Sequence, residues 1–244
     1  MISLFKKKYS LADCIPEEYT DIHSHVLWGV DDGAKTIEES ALLLQGMIDL
    51  KFAKCITTPH TNTSFKTTTK EVIVNRHQEL LRALPELSNQ LQLQAASEYL
   101  IEPELDLHTK TKTILTLKDN YILVEIPYIN EPLNLFQHLF EIQLSGYIPV
   151  LAHPERYAFY YDNMDRYYEL KKAGCLFQLN LLSTVGYYGK KALEATDYLL
   201  KNQLIDFTGS DIHHKKHLDA FSEKIKIREI SLLIEAMKRN VFFK

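Results

Sequence analysis

Seven short apolar runs, each followed by a longer polar or amphipathic stretch, constrain this chain more than any other feature. The runs are YTDIH (19–23), AKCITT (53–58), LQLQAA (91–96), YILVEI (121–126), YIPVLA (147–152), CLFQLN (175–180) and LIDFTG (204–209). Their length and their β-branched and aromatic content read as strands. Helical spacing falls near 37–49, 68–87, 133–144, 164–173 and 190–202, with more helix after His217. Strand and helix alternating in this way predict a parallel α/β fold. His23, His60, His153 and Asp211 stand at or just beyond the C-terminal ends of predicted strands, and Glu98 follows its strand within two residues. An open sheet concentrates its site at one switch point, whereas a barrel gathers residues from many strand ends at one rim. The prediction is therefore a distorted seven-stranded barrel, one domain over 19–244 preceded by an N-terminal extension over 1–18.

Charge and cysteine usage narrow the chemistry. With 28 basic against 32 acidic residues the formal charge is -4, so no general attraction to a polyanion is expected and nucleic acid is not an expected partner. Cys14, Cys55 and Cys175 lie far apart and form no CxxC pair, which reads as reduced thiols of a cytoplasmic protein. The first residues, MISLFKKKYSLADC, lack the uninterrupted apolar stretch of a signal peptide, and no later window approaches a membrane span. Lys6, Lys7 and Lys8 make a short basic tail that could meet an anionic surface or simply be solvated.

The polar residues form a sequence of donors. DIHSH sets His23 and His25 two apart, which on a strand aims both imidazoles to one face. The continuation VDDGA adds Asp31 and Asp32 in a glycine-flanked turn, and TTPH adds His60. Glu98 ends LQLQAASE, and Glu125 sits inside YILVEIP, where an ionised carboxylate wants a cation beside it. LAHPERY supplies His153 and Arg156, whose guanidinium fork suits phosphate oxygens. GSDIHH closes the series with Asp211 and His213. The candidate ligands are thus His23, His25, Asp32, His60, Glu98, Glu125, His153, Asp211 and His213, too many for one ion and enough for two or three. Nitrogen and oxygen donors without thiolate suit Mn²⁺, Fe²⁺ or Zn²⁺, and Mn²⁺ is the ion expected here, with iron or Zn²⁺ as alternatives. His77, His108, His138, His214 and His217 read as surface or supporting residues.

DIHSHVLWGVDDGA, TTPH, SEYLI, LVEIP, LAHPERY, FQLN and GSDIHH together resemble the PHP superfamily, and within it the bacterial metal-dependent tyrosine-protein phosphatases of capsule and exopolysaccharide operons. The resemblance runs from about Thr20 to His213 and into the C-terminal helices. It implies a distorted (β/α)₇ barrel with a trinuclear centre at the C-terminal rim. His23, His25, Glu98 and Asp211 would hold one ion, His60 and His153 a second sharing Glu98, and Asp32, Glu125 and His213 would surround a third. Asp31 could exchange roles with Asp32. Arg156 matches a phosphate-holding arginine, and Arg156, Asp32 and His213 are the expected catalytic groups. The segment TVGYYGK departs from the family's serine-rich loop and offers only Tyr187, Tyr188 and Lys190 there.

The implied reaction is hydrolysis of phosphotyrosine monoesters by a metal-activated hydroxide, the partner being the tyrosine-rich tail of a membrane-associated bacterial tyrosine kinase. Cysteine chemistry is excluded, because its loop needs an arginine six positions beyond the thiolate and Thr20, Thr61 and Leu181 stand there. Rival readings are a small-metabolite phosphomonoesterase such as a histidinol-phosphatase, a metal-dependent nuclease, and a non-catalytic domain stabilised by its metals. Phe65, Tyr157, Tyr160 and Tyr161 are candidates to frame a phenyl ring, and the threonine-rich stretch 57–70 is a candidate rim or lid.

Overall fold

The computed structural model describes residues 9–62, 64 and 68–244. Its strands are β1 (Tyr19–Asp21), β2 (Phe52–Thr57), β3 (His60–Thr61), β4 (Gln94–Ala95), β5 (Glu98–Leu100), β6 (Tyr121–Glu125), β7 (Ile148–Ala152), β8 (Leu176–Asn180) and β9 (Phe207–Gly209). Every ladder is parallel. Two sheets result, β1-β2-β4 and β3-β5-β6-β7-β8-β9. Nine segments nevertheless make seven staves, because β3 continues β2 after Thr58 and Pro59, and β5 continues β4 after Ala96 and Ser97. Pro59 has no N–H to give a ladder. Its carbonyl instead accepts from Glu98 N at 3.1 Å and Ser97 Oγ at 2.8 Å, which carries the pairing across the break.

All seven predicted strands are present, and each stave is followed by helix, as a (β/α)₇ barrel requires. Three local expectations are corrected. The single helix over 68–87 is two, Lys70–Ala83 and Pro85–Gln90, because a residue before proline is driven out of helical geometry and Leu84 sits at φ -128°, ψ 57°. Glu98 opens a strand of its own instead of trailing one. The helix Pro103–Thr111 was not predicted, since its nine residues bury only Leu105 and Thr109 and show little periodicity. Tyr9 through Cys14 are not detached from the body: Ser10 caps a short helix Leu11–Cys14, Leu11 is fully buried, and Leu11 N and Ala12 N donate to Glu223 O and Phe221 O. Lys6, Lys7 and Lys8 lie outside the described residues, as do Phe65 and part of the threonine-rich stretch. No helix among the described residues is long and apolar enough to cross a membrane.

Two cores follow from the alternation of the staves. Ile22, Ile56, Ala96, Leu123, Val150, Ala152 and Phe207 fill the inside of the barrel, and a larger layer packs staves against helices. Phe243, from the C-terminal turn Asn240–Phe243, joins the inner core, wholly buried and 4.8 Å edge-on to Phe207.

The seam between the first and last staves has no ladder of its own. At the rim it closes through Asp211 N to His23 O at 2.7 Å and His25 N to Ile212 O at 2.9 Å. Lower down, buried Asn240 substitutes for a strand: its Nδ2 donates to Thr20 O (2.8 Å) and Thr208 O (2.7 Å), and its Oδ1 accepts from Thr208 N at 3.0 Å. Asp21 adds a second tie by accepting from Ser210 N and Oγ at 2.8 and 2.6 Å. Asn240→Ala strands three buried backbone groups, so it should lower unfolding free energy by about 3 kcal/mol in urea titrations; a loss below about 1 kcal/mol would mean that the seam does not depend on this side chain.

Candidate metal centre

The seam and the staves bring the nine predicted donors to one end of the barrel. Fully buried Glu98 is their hub. Its Oε2 lies 3.1 Å from His23 Nε2, 3.2 Å from His60 Nδ1 and 3.5 Å from His25 Nε2, and its Oε1 lies 3.1 Å from His153 Nε2. Asp211 Oδ1 faces His23, His25 and His213 at 3.3, 3.5 and 3.4 Å. Glu125 Oε1 meets His60 Nδ1 at 3.1 Å. Asp32 reaches His60 Nε2 at 3.5 Å and His213 Nε2 at 3.4 Å from the solvent side, its side chain 56% exposed. His153 and Asp211 hold left-handed backbone, φ 37° and 52°, a strain that is tolerated where it aims functional groups.

Local sequence fixes these aims. Gly209 precedes the turn of GSD, and a Cβ there would stand 2.6 Å from His23 Cβ. In VDDGA a Cβ at Gly33 would strike the His25 carbonyl at 2.1 Å. Asp31 is buried beneath His25, taking its Nδ1 at 2.7 Å and accepting from Gly33 N and His60 N. The two adjacent aspartates thus differ: Asp31 orients imidazole, and Asp32 faces the opening.

Hydrogen bonding tests whether cations fit. Gln178 Nε2 donates to Leu179 O, so its Oε1, 2.8 Å from His23 Nδ1, must accept there. Asp31 likewise can only accept from His25 Nδ1. In their neutral form both imidazoles therefore point bare Nε2 lone pairs inward, 3.3 Å from each other and close to Glu98 and Asp211. Lone pairs and carboxylates converging in a buried space repel one another unless positive charge lies among them, and outer partners on Nδ1 are the usual support of metal-bound histidine. Without a cation the site gathers protons instead: against burial, Glu98 and Asp211 raise His23, and Asp31 raises His25 well above the usual imidazole range, positive charge that a metal ion would replace. Burial opposes ionisation of Glu98 and Asp211, yet the imidazoles around them, His23 foremost, hold both carboxyls well below the usual range. Burial and the Glu98 charge push Glu125 up, and burial helped by Arg156 brings His153 down to about 4, the neutral form a metal binds.

The donors fall into four groups able to hold an ion among the described residues: His25, Asp32, His60 and His213; His23, Glu98 and His153; His23, His25 and Asp211; His60, Glu98 and Glu125. These cut across the division that the resemblance implies, since Glu125 groups with His60 and Glu98 and not with Asp32 and His213, while His153 groups with His23. The cause is geometric: β6 lies beside β5, so Glu125 projects next to Glu98. Multiple divalent ions suit this donor set.

Arg156 lies on the short turn Pro154–Arg156 after β7. Its Nη1 donates to Asp211 Oδ2 at 2.5 Å, and its guanidinium sits 4.1 Å over the Tyr188 ring and 5.1 Å over Tyr128. Neighbouring Glu155 is wholly buried and accepts from Asn180 N and Ser183 Oγ, tying this turn to the end of β8. The aromatic frame differs from expectation. Tyr157 and Tyr160 are buried, their hydroxyls committed to Ala152 O and Glu131, so they do not line the opening. Tyr128 and Tyr188 do, and Tyr128 is also stacked on His153 at 5.6 Å. Tyr128 carried no signal beyond standing three residues after Glu125. His217 supports His213 by accepting from its N at 3.1 Å, whereas His214 is exposed.

Comparison with known proteins is consistent with this architecture. Residues 19–224 match the family model described as capsular polysaccharide synthesis, CpsB/CapC. The chain is 30% identical over 197 residues to the tyrosine-protein phosphatase YwqE of Bacillus subtilis, covering 80% of this chain and 78% of that one. It is 29% identical over 200 residues to the tyrosine-protein phosphatase CpsB of Streptococcus pneumoniae, covering 80% and 82%. Among solved structures it superposes with a TM-score of 0.76, at 29% identity over 83% of this chain and 84% of the other, on one from the work on YwqE and CpsB, described there as unique metal-dependent tyrosine phosphatases.

Proposed function

The chain belongs to the CpsB/CapC family of capsular polysaccharide synthesis proteins, and we propose that it is a metal-dependent protein-tyrosine phosphatase of the capsule or exopolysaccharide pathway, acting on the phosphorylated tail of a bacterial tyrosine kinase. The observation that carries this reading is the convergence of four imidazoles on Glu98, with Arg156 held between two tyrosine rings at the same opening. The nine donors are read as ligands to two or three divalent ions, Mn²⁺ first, and residues 19–244 as one catalytic domain.

Divalent cations in such a site lower the pKa of water toward neutrality and neutralise phosphoryl charge. The chain's own residues do the rest. Asp31 and Gln178 keep His25 and His23 in the tautomer that presents Nε2 inward. Arg156 is positioned to exchange part of its bond to Asp211 for phosphoryl oxygens and to stabilise their charge as the bond to the phenol breaks. Tyr128 and Tyr188 offer ring faces for the substrate's phenyl group. His213 and Asp32, 3.4 Å apart at the solvent side of the cluster, are placed to orient a water that passes its proton to the departing phenolate. Thiol chemistry has no foothold: all three cysteines are buried, and burial pushes the Cys175 thiol up to about 12.

The test is Mn²⁺-supplemented turnover of a phosphotyrosyl peptide beside histidinol phosphate, in the parent and in Arg156→Ala. Peptide is expected to be preferred, and the variant to lose about 100-fold in kcat/KM. Selective turnover of histidinol phosphate would make the chain a small-metabolite phosphatase instead, and metal binding without turnover of either would make it a metal-stabilised scaffold.

A further inference from the structure

The loop over 127–134, between β6 and the helix Leu135–Leu144, carries beside Tyr128 two aliphatic side chains that the chemistry above does not use. Ile129 is 91% exposed, Leu133 is wholly exposed, and Tyr128 is about half exposed. Single exposed apolar residues are ordinary, but three within six residues on one loop are a surface with a purpose. The loop is also braced. Pro127 and Pro132 restrict its backbone, and Glu131 accepts from Tyr160 Oη at 2.5 Å and Arg166 Nε at 2.9 Å. A fixed loop that holds two aliphatic side chains in water is pre-organised for contact, since little freedom remains to be lost when they are covered.

Position and charge identify what covers it. The loop leaves β6 at Glu125, and Tyr128 stacks on His153 with the Arg156 guanidinium over its ring. A chain whose phosphoryl group reaches Arg156 therefore passes Tyr128, and Ile129 is the next side chain along. The two arginines that meet the loop, Arg156 and Arg166, are paired with Asp211 and with Glu131 and Glu169, which leaves less basic charge here to draw anionic lipid.

We infer that Ile129 and Leu133 form a docking site for apolar side chains flanking the phosphotyrosine of the protein substrate. The inference rests on the phosphatase reading and adds to it a preference for sequence around the phosphorylated residue.

The Mn²⁺-loaded parent and the I129S/L133S double variant would be assayed on three substrates. These are p-nitrophenyl phosphate, a phosphotyrosyl dodecapeptide with leucine at the second and third positions on each side, and the same peptide with serine there. The parent should favour the leucine peptide about tenfold in kcat/KM, mainly through KM, and the double variant should lose that preference. Both side chains are exposed, so the melting temperature serves as a control that the variant is folded. Equal turnover of the two peptides by the parent, or a preference that survives in the variant, overturns the docking site while turnover of p-nitrophenyl phosphate leaves the phosphatase reading standing. Failure to turn over any of the three removes both. Light scattering that shows a parent dimer made monomeric by the double substitution assigns the surface to a second copy and also overturns the inference.

Discussion

Replacing Glu98 with glutamine is expected to lower turnover of a phosphotyrosyl substrate by about 1000-fold and to reduce bound metal measured by elemental analysis. The substitution keeps volume and one carbonyl oxygen but removes the charge shared by His23, His25, His60 and His153. No other carboxylate meets so many of the imidazoles, so loss at this position propagates to every ion that shares it. A carboxylate at the edge behaves differently, and Asp32, more than half exposed, should retain metal when changed to asparagine. If Glu98→Gln kept parental metal content and turnover, the buried cluster would not be the catalytic centre.

The second large effect lies at the opposite end of the barrel. Phe243→Ala should lower unfolding free energy by about 3–5 kcal/mol, because the ring is wholly buried among Phe207, Tyr121 and the inner staves and truncation leaves a cavity there. In a domain of this size the melting temperature should fall by roughly 10 °C. The carbonyl of Phe243 also accepts from the buried Lys54 Nζ at 2.8 Å, and Lys118 Nζ donates to Phe242 O at 2.7 Å, so deleting the terminal turn would leave both ammonium groups with fewer partners. Below its melting temperature the point variant should keep its turnover, since Phe243 touches none of the candidate ligands. A variant as stable as the parent would show that the barrel floor is closed by something else.

The contrast between these sites follows what the sequence can display. Staves are local, and six or so apolar residues bounded by polar ones reveal them; donors at their ends inherit that visibility. His23, His60, His153 and Asp211 could be placed on one rim for this reason. What depends on paths between elements stayed hidden. The breaks at Pro59 and Ser97 split two staves without altering their apolar pattern. Tyr157 and Tyr160 read no differently from Tyr128 in sequence, yet only the loop's course decides which ring faces Arg156. The grouping of Glu125 with Glu98 depends on which staves are neighbours, which no spacing records. Asn240 and Phe243 were the least legible, because a polar residue and an aromatic pair near the end of a helix announce neither a seam nor a floor.

Asn240 and Phe243 also set an order of events during synthesis. All seven staves and every candidate ligand precede them, so the metal-binding rim can form while the first and last staves still lack the bridge that Asn240 makes between Thr20 and Thr208. A nascent chain in that condition exposes the inner apolar faces of its staves, the kind of surface that chaperones recognise and aggregates grow from. Locking waits until the final turn has emerged, and metal captured before then would be held by a vessel whose base is still open.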